Sequence, residues 1–278
     1  MTAFLRSGLR RQGTAGRAPQ TSASTEGEAM ARPKVGCQPI IFGGHDEYGL
    51  AGMLRAMADA GYDGVEMGPP RSPEAKDELR RLLDEHGLEV LGSHTGYERL
   101  DRLEANLRFL GDFGASLLMI SGTGDRAAGA ASYAAAAGVL NDCGRRAAEA
   151  GVTLCYHNHS WEFHDAFDEG CGMDILLREL DPACAKLCVD VYWIYDGGRD
   201  PAAFLEQWKD RVAVVHLKDR KNDTFCEVGQ GELDFKAIFE VLGPLGLPWV
   251  VTEQDRTDKD PAVSIKMSRD YLREAIGI

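Results

Sequence analysis

Asp190, His216 and Glu253 each close a short apolar run: Lys186-Leu-Cys-Val precedes the first, Val212-Ala-Val-Val the second and Trp249-Val-Val-Thr the third. A further run leads into Tyr156-His-Asn-His-Ser-Trp-Glu-Phe163, which places His157 and His159 two residues apart. An apolar run ending in an ionisable residue is the pattern of a buried parallel strand that delivers one polar group to the end of a sheet. Deliveries spaced by roughly 30 residues converge on one site when the sheet closes on itself. A carboxylate at the edge of a core is costly unless paired, and one shared cation offsets that cost for several groups at once. Two carboxylates and an imidazole, with no thiol among them, suit a hard or borderline dication: Mn2+, Mg2+, Co2+ or Zn2+. Three protein ligands with open positions describe a catalytic metal site better than a closed structural one.

His157 and His159 face the same way if both lie on one strand. At most one then serves as a ligand; the expected metal set is Asp190, His216, Glu253 and His159, which leaves His157 for proton transfer. Lys218 lies two residues beyond His216 and is expected at the same mouth, where its ammonium would hold a substrate oxygen or stabilise an enolate. The expected catalytic set is therefore His157, His159, Glu253 and Lys218. Glu66 and His94, at the ends of two earlier runs, join Glu162, Trp193 and Lys218 as the expected substrate-binding set. Trp161 and Trp193 offer an apolar wall to a sugar face or else fill the core. Cys155 and Cys188 fall within strands and read as packing residues.

The elements that would position these groups alternate from Lys34 onward. Strands are expected at 35–38, 64–67, 89–94, 116–121, 152–157, 186–190, 212–216 and 249–253, with helical patterns near 50–60, 74–86, 98–113, 132–150, 172–180, 200–209, 234–243 and 261–276. Ser72-Pro73 and Asp200-Pro201 place a proline in a first helical turn, and Gly61, Gly87 and Gly151 follow helix ends. Strand and helix repeated this way predict an α/β fold, a single-domain (β/α)8 TIM barrel. A doubly wound sheet would carry Gly-x-Gly-x-x-Gly after its first strand, and Gly43-Gly44 does not supply it.

Composition narrows the function. The net charge of -13 disfavours nucleic acid as a partner, since a phosphate backbone is gripped by clustered Lys and Arg. No apolar run reaches the ~18 residues of a membrane span, so no membrane partner and a cytoplasmic location are expected. Seven cysteines, an odd number without Cys-x-x-Cys spacing, predict buried thiols in a reducing compartment. Residues 1–29 carry Arg6, Arg10, Arg11 and Arg17 with no acidic residue before Glu26, and are expected to be a disordered or mis-started extension; 30–278 is the barrel domain.

Leu154–Phe163, Val189-Asp-Val-Tyr-Trp193, His216-Leu-Lys-Asp219, Val228-Gly-Gln-Gly-Glu-Leu-Asp-Phe235 and Val251-Thr-Glu-Gln-Asp255 together resemble the sugar phosphate isomerase/epimerase family of the xylose isomerase-like barrel superfamily. The resemblance spans about residues 34 to 276 in order. It implies a divalent metal at the strand ends, with Asp190, His216 and Glu253 matching three usual ligands, a small sugar or cyclitol substrate, and, by analogy with relatives, a homo-oligomer. Ketose epimerases in this group add a fifth-strand glutamate, where this chain places Tyr156 followed by His157 and His159. Inosose dehydratases carry a similar Tyr-His stretch. The expected function is a metal-dependent sugar isomerase or epimerase that removes a proton alpha to a carbonyl and holds a metal-stabilised enolate. The alternatives are a lyase of the inosose dehydratase or 3-keto-glycoside type and a non-catalytic sugar-binding barrel. Trp193 stands where many relatives have a histidine, which argues against a multi-metal nuclease site.

Overall fold

The computed structural model describes residues 32–278, so the expected extension at 1–29 lies outside the described residues. The apolar runs form eight strands: β1 Lys34–Cys37, β2 Gly64–Glu66, β3 Glu89–Gly96, β4 Leu117–Ser121, β5 Thr153–His157, β6 Ala185–Asp190, β7 Val212–Leu217 and β8 Trp249–Thr252. Each is parallel to its neighbours, and β1 pairs with β8, so the sheet is a closed barrel. Eight longer helices intervene or follow: α1 Gly49–Ala60, α2 Pro73–His86, α3 Leu103–Phe113, α4 Ala130–Glu149, α5 Gly172–Glu179, α6 Pro201–Trp208, α7 Phe235–Leu242 and α8 Pro261–Tyr271, with short helical turns at Trp161–His164 and Val191–Asp196. The (β/α)8 barrel expected from the alternation is the fold. Among the described residues no helix is long and apolar enough to cross a membrane.

Alternation of side chains along each strand divides the core into two layers. One parity points outward: Val35, Val65, Leu118, Ile120, Leu154, Tyr156, Leu187, Val189, Val215 and Val250 join the helix residues in the main core. The other points into the barrel, where Leu91, Leu117, Met119, Cys155, Cys188, Val214 and Val251 form a small separate cluster. That interior is filled: a Cβ added to Gly36 would collide with Leu91. The floor beneath the strand ends is thus closed, and water reaches the ionisable groups only from the mouth.

Helix ends follow the local chemistry read in the sequence. Ser72 accepts a hydrogen bond from Ala75 N and Asp200 one from Ala203 N, each ahead of a first-turn proline. Gly61, Gly87 and Gly114 end α1, α2 and α3 in the left-handed conformation that only glycine adopts freely. The pattern expected near 98–113 begins instead as a 3-10 segment, Tyr97–Arg102, with helix from Leu103. Two short hairpins were not foreseen: Ala166–Phe167 with Gly170–Cys171, and Asp219–Lys221 with Thr224–Cys226. Both project beyond strand ends and frame the mouth.

Candidate functional site

In the ladder, Asp190 pairs with His216, so these two side chains leave adjacent strands at one height, while His157 pairs with Cys188, two residues before Asp190, and its ring reaches up to them. Glu253 follows β8 directly and is tied back by its own N–H to Leu217 O at 3.1 Å. Asp190 is fixed further. Its N–H donates to Asn158 Oδ1 at 3.0 Å and its C=O accepts from Asn158 Nδ2 at 3.2 Å. Its Oδ1 caps the following turn, accepting from Tyr192 N at 2.9 Å and Trp193 N at 3.2 Å. Oδ2 is left without a hydrogen bond, and so are both ring nitrogens of His157, although neither residue is more than 1% exposed. Orphaned buried polar atoms of this kind require an explanation.

One atom each from His157, Asp190, His216 and Glu253 lies within 4.8 Å of the others. His157 Nε2 stands 3.5 Å from Asp190 Oδ2 and 3.7 Å from Glu253 Oε2, too far for hydrogen bonds. Donor atoms bound tetrahedrally at ~2.1 Å are separated by about 3.4 Å, so the two His157 spacings are those of ligands around one ion, whereas His216 and Glu253 are closer and hydrogen-bonded to each other. Two carboxylates with two imidazoles make the donor set of such an ion, and the unpaired atoms face where it would sit. The residues fit a divalent metal.

Around this cluster the first strands supply support. Glu66, at the end of β2, is 2% exposed and uses both oxygens: Oε2 on His216 Nε2 at 3.0 Å and Oε1 on His94 Nδ1 at 3.1 Å. His94 Nε2 continues to Ser121 Oγ at 3.2 Å. The second ring nitrogen of His216, Nδ1, meets Glu253 Oε2 at 2.5 Å. Burial raises the Glu66 carboxyl, but His216 and His94 outweigh it and hold it at about 2. Burial likewise opposes charge on His216, yet Cys188 and Glu66 bring it well above the ordinary imidazole value. For His157 burial is outweighed by Asp190 and Glu253, again upward.

Lys218 is 1% exposed, with Nζ 2.8 Å from Asp255 Oδ1, 3.1 Å from Glu253 Oε1 and 3.2 Å from Asp190 Oδ2, the last outside hydrogen-bond geometry. Burial lowers its pKa, but Asp190, Glu253 and Asp255 together hold it above the usual lysine range. It is a charged ammonium enclosed by carboxylates, also 5.0 Å from the Trp193 ring centroid.

The structure differs from the sequence expectations at four places. His159 does not join the ligand atoms: β5 ends at His157, so strand alternation no longer applies, and the His159 ring stacks on Trp161 with centroids 3.8 Å apart. The place in the cluster expected for His159 is taken by His157. Glu162 does not face substrate; it is fully buried and spends its oxygens on Tyr156 Oη at 2.7 Å and His159 N at 2.8 Å. Glu66 is likewise consumed by two histidines rather than open to substrate. Tyr156, aligned above with the epimerase glutamate, points outward into the helix layer, and His157 fills the inward end of β5. Asp255 was overlooked, although it lies two residues beyond Glu253, the same signal that drew attention to Lys218 beyond His216. Trp193, half-buried, lies with its ring 5.4 Å from His159, and the indole nitrogens of Trp161 and Trp193 have no partner.

The loop after β7 is held by a single carboxylate. Asp219, fully buried, accepts from the backbone N–H groups of Arg220, Gly229, Gly231, Glu232 and Leu233.

The family model for the xylose isomerase-like TIM barrel matches residues 54–275. The chain is 26% identical to an inosose dehydratase of Geobacillus thermodenitrificans, over 88% of this chain and 98% of that protein. Its fold superposes on a sugar phosphate isomerase/epimerase from Parabacteroides distasonis with a TM-score of 0.71 at 23% identity, covering 93% of this chain and 99% of the other. It also superposes on the IolI protein with a bound zinc atom, with a TM-score of 0.68 at 14% identity over 87% and 98% of the two chains. At these identities the two structural likenesses establish the fold alone.

Proposed function

Because this chain belongs to the xylose isomerase-like TIM barrel family, we propose that its strand-end cluster is a divalent-metal centre acting on a small polyhydroxylated ketone, a sugar or cyclitol, and that the reaction is loss of water beside the carbonyl. The observation that carries the reading is the set of buried, unpartnered atoms, His157 Nε2 and Asp190 Oδ2, meeting His216 and Glu253 around one point. Asp190, His216, Glu253 and His157 would hold the ion, and Mn2+, Mg2+, Co2+ and Zn2+ all accept such oxygen and nitrogen donors. When bound, a dication polarises the substrate carbonyl and acidifies the adjacent C–H.

The chain's own groups account for the rest. Lys218, kept charged by three carboxylates, donates to the oxygen that gains negative charge. Trp161, His159 and Trp193 offer flat faces to a ring, and the free indole N–H groups await its hydroxyls. The base must be a group that is not a ligand. Burial raises the Asp255 carboxyl above its ordinary value, whereas burial, then His157 and Lys218, push His159 down to about 2. Asp255, 2.8 Å from Lys218 and outside the cluster, is the base this reading assigns. One carboxyl suffices for elimination, since the proton it removes can return to the departing hydroxyl; epimerisation needs a second acid–base group on the opposite face. The fifth strand brings no second carboxylate to the mouth, since Tyr156 points outward and His157 inward, and the similarity to inosose dehydratases supports the same outcome.

Isomerisation or epimerisation is the second reading, favoured by His159, whose Nδ1 has no partner and would face substrate from the other wall. Purified protein with Mn2+ is to be incubated with inososes and 3-keto sugars in D2O and followed by NMR and mass spectrometry. Dehydration predicts a product lighter by one water; solvent deuterium at one carbon with mass otherwise conserved overturns it in favour of the second reading.

A further inference from the structure

Because inward positions recur every second residue, the residue two before each site group lies one layer deeper in the barrel. Cys155 lies below His157, Cys188 below Asp190, Val214 below His216 and Val251 below Glu253, and all four belong to the interior cluster. Cys188 is fully buried, and its Sγ lies within 4.8 Å of ligand atoms of both His157 and His216. These are the same two imidazoles that stand with Asp190 and Glu253 in the upper set. Among the described residues no hydrogen bond commits the His157 ring to the upper set, since neither of its nitrogens has a partner.

We propose that His157, Cys188 and His216 form a second, softer metal site, one layer below the carboxylate set and sharing its two imidazoles, which takes thiophilic dications such as Cd2+ and Zn2+. The inference rests on the metal-centre reading only through those shared histidines. Thiolate and imidazole select soft and borderline ions, whereas carboxylates suit Mg2+ and Mn2+, so the two sets sort cations by chemistry. On binding, the Cys188 S–H bond breaks, a metal–sulfur bond forms and the proton leaves to solvent. An ion in the lower set occupies both imidazoles while lying further from Lys218 and Asp255, and so competes with a productive ion in the upper set.

The test is titration of chelator-treated protein with Cd2+, followed by thiolate-to-cadmium charge-transfer absorbance in the near ultraviolet. The expected difference between wild type and Cys188→Ser is a band saturating at one ion per chain, which removes the background from half-exposed Cys184 and Cys226. Cys155→Ser should keep the band. Cys188→Val, which fills the same interior space with carbon, should lose it and provides a second folded comparison, checked by thermal melting. A band that survives in either Cys188 variant overturns the proposal. Asp190→Asn separates the two metal readings: it should weaken Mn2+ binding at least tenfold, within the range typical of ligand-shell changes, and leave the Cd2+ band. Loss of the band in Asp190→Asn would overturn a distinct lower site, whereas unchanged Mn2+ binding there, with the band intact, would overturn the upper centre and leave the lower one standing.

Discussion

The two halves of the barrel treat their strand ends differently. From β5 to β8 every strand presents a group to the same point: His157, Asp190, His216 and Glu253. From β1 to β4 the ends carry Cys37, Glu66, His94 and Ser121, and none belongs to that ligand set. The first half instead reaches across the mouth, from Ser121 through His94 and Glu66 to His216 Nε2, and so orients a ring that the second half supplies. A carboxylate on the far nitrogen of a metal-binding imidazole fixes its tautomer and raises its basicity. On the metal-centre reading proposed above, ligand supply and ligand orientation would be divided between the chain halves, which makes them separable by mutation.

The largest effect is expected in the supplying half. Asp190→Ala removes an anionic ligand and also the cap of the turn at Val191–Asp196, so it should abolish metal retention in elemental analysis and lower the melting temperature. Asp190→Asn keeps a capping oxygen and should lose the metal with little thermal change. Retention of stoichiometric metal in both would place the centre elsewhere. Next is the fifth strand, where His157→Gln should cost roughly a hundredfold in turnover together with metal affinity. His159→Gln, outside the cluster, should leave metal content intact; equal metal loss in both would erase the distinction drawn between them.

A smaller effect belongs to the orienting half. Glu66→Gln should weaken metal binding by about 10- to 100-fold and shift the visible spectrum of the Co2+-loaded protein, with Glu66→Asp partly restoring both. An unchanged affinity and spectrum would show that the first half does not orient His216.

The smallest effect is on stability against pH, and it sets the two groups of the loop after β5 against each other. His159 is held at about 2 against an ordinary 6.5, chiefly by burial, so the stability it contributes is present above pH 6.5 and is lost as pH falls towards 2. Glu162 is raised to about 7 from 4.5 by burial, so its contribution is present below pH 4.5 and is lost as pH rises through 7. In melting curves across pH, His159→Gln should flatten the acid limb and Glu162→Gln the limb between pH 4.5 and 7. Identical limbs in wild type and variants would show that neither group changes its proton affinity on folding.

The barrel was legible because each strand is a short apolar run bounded by turn chemistry, and every expected strand lies within two residues of the observed one. The convergence of Asp190, His216 and Glu253 was legible for the same reason, since a strand end fixes the direction of its side chain. His157 could not be told from His159 because sequence alternation does not reveal that the strand stops between them. Glu162 and Glu66 were misread as substrate contacts because consumption of a carboxylate by Tyr156 or His216 is a tertiary fact with no local pattern. The hairpin at Asp219–Cys226 turns on Asn222 and Asp223 at positive φ, a conformation Asn and Asp tolerate but do not announce.

Asp219 carries a consequence for how the mouth can change over time. One side chain organises the whole turn from Gly229 to Leu233, so that loop can alter the residues it presents while its path stays the same. Asparagine at 219 would turn an amide towards backbone donors that need an acceptor, leaving some of them unsatisfied in a buried place. The position is closed to drift, and so are Gly229 and Gly231, where an added Cβ would run into Tyr271 and into Asp219 itself. Exposed Gln230 and Glu232 can change between them, with the anchor and the ladder beneath left untouched.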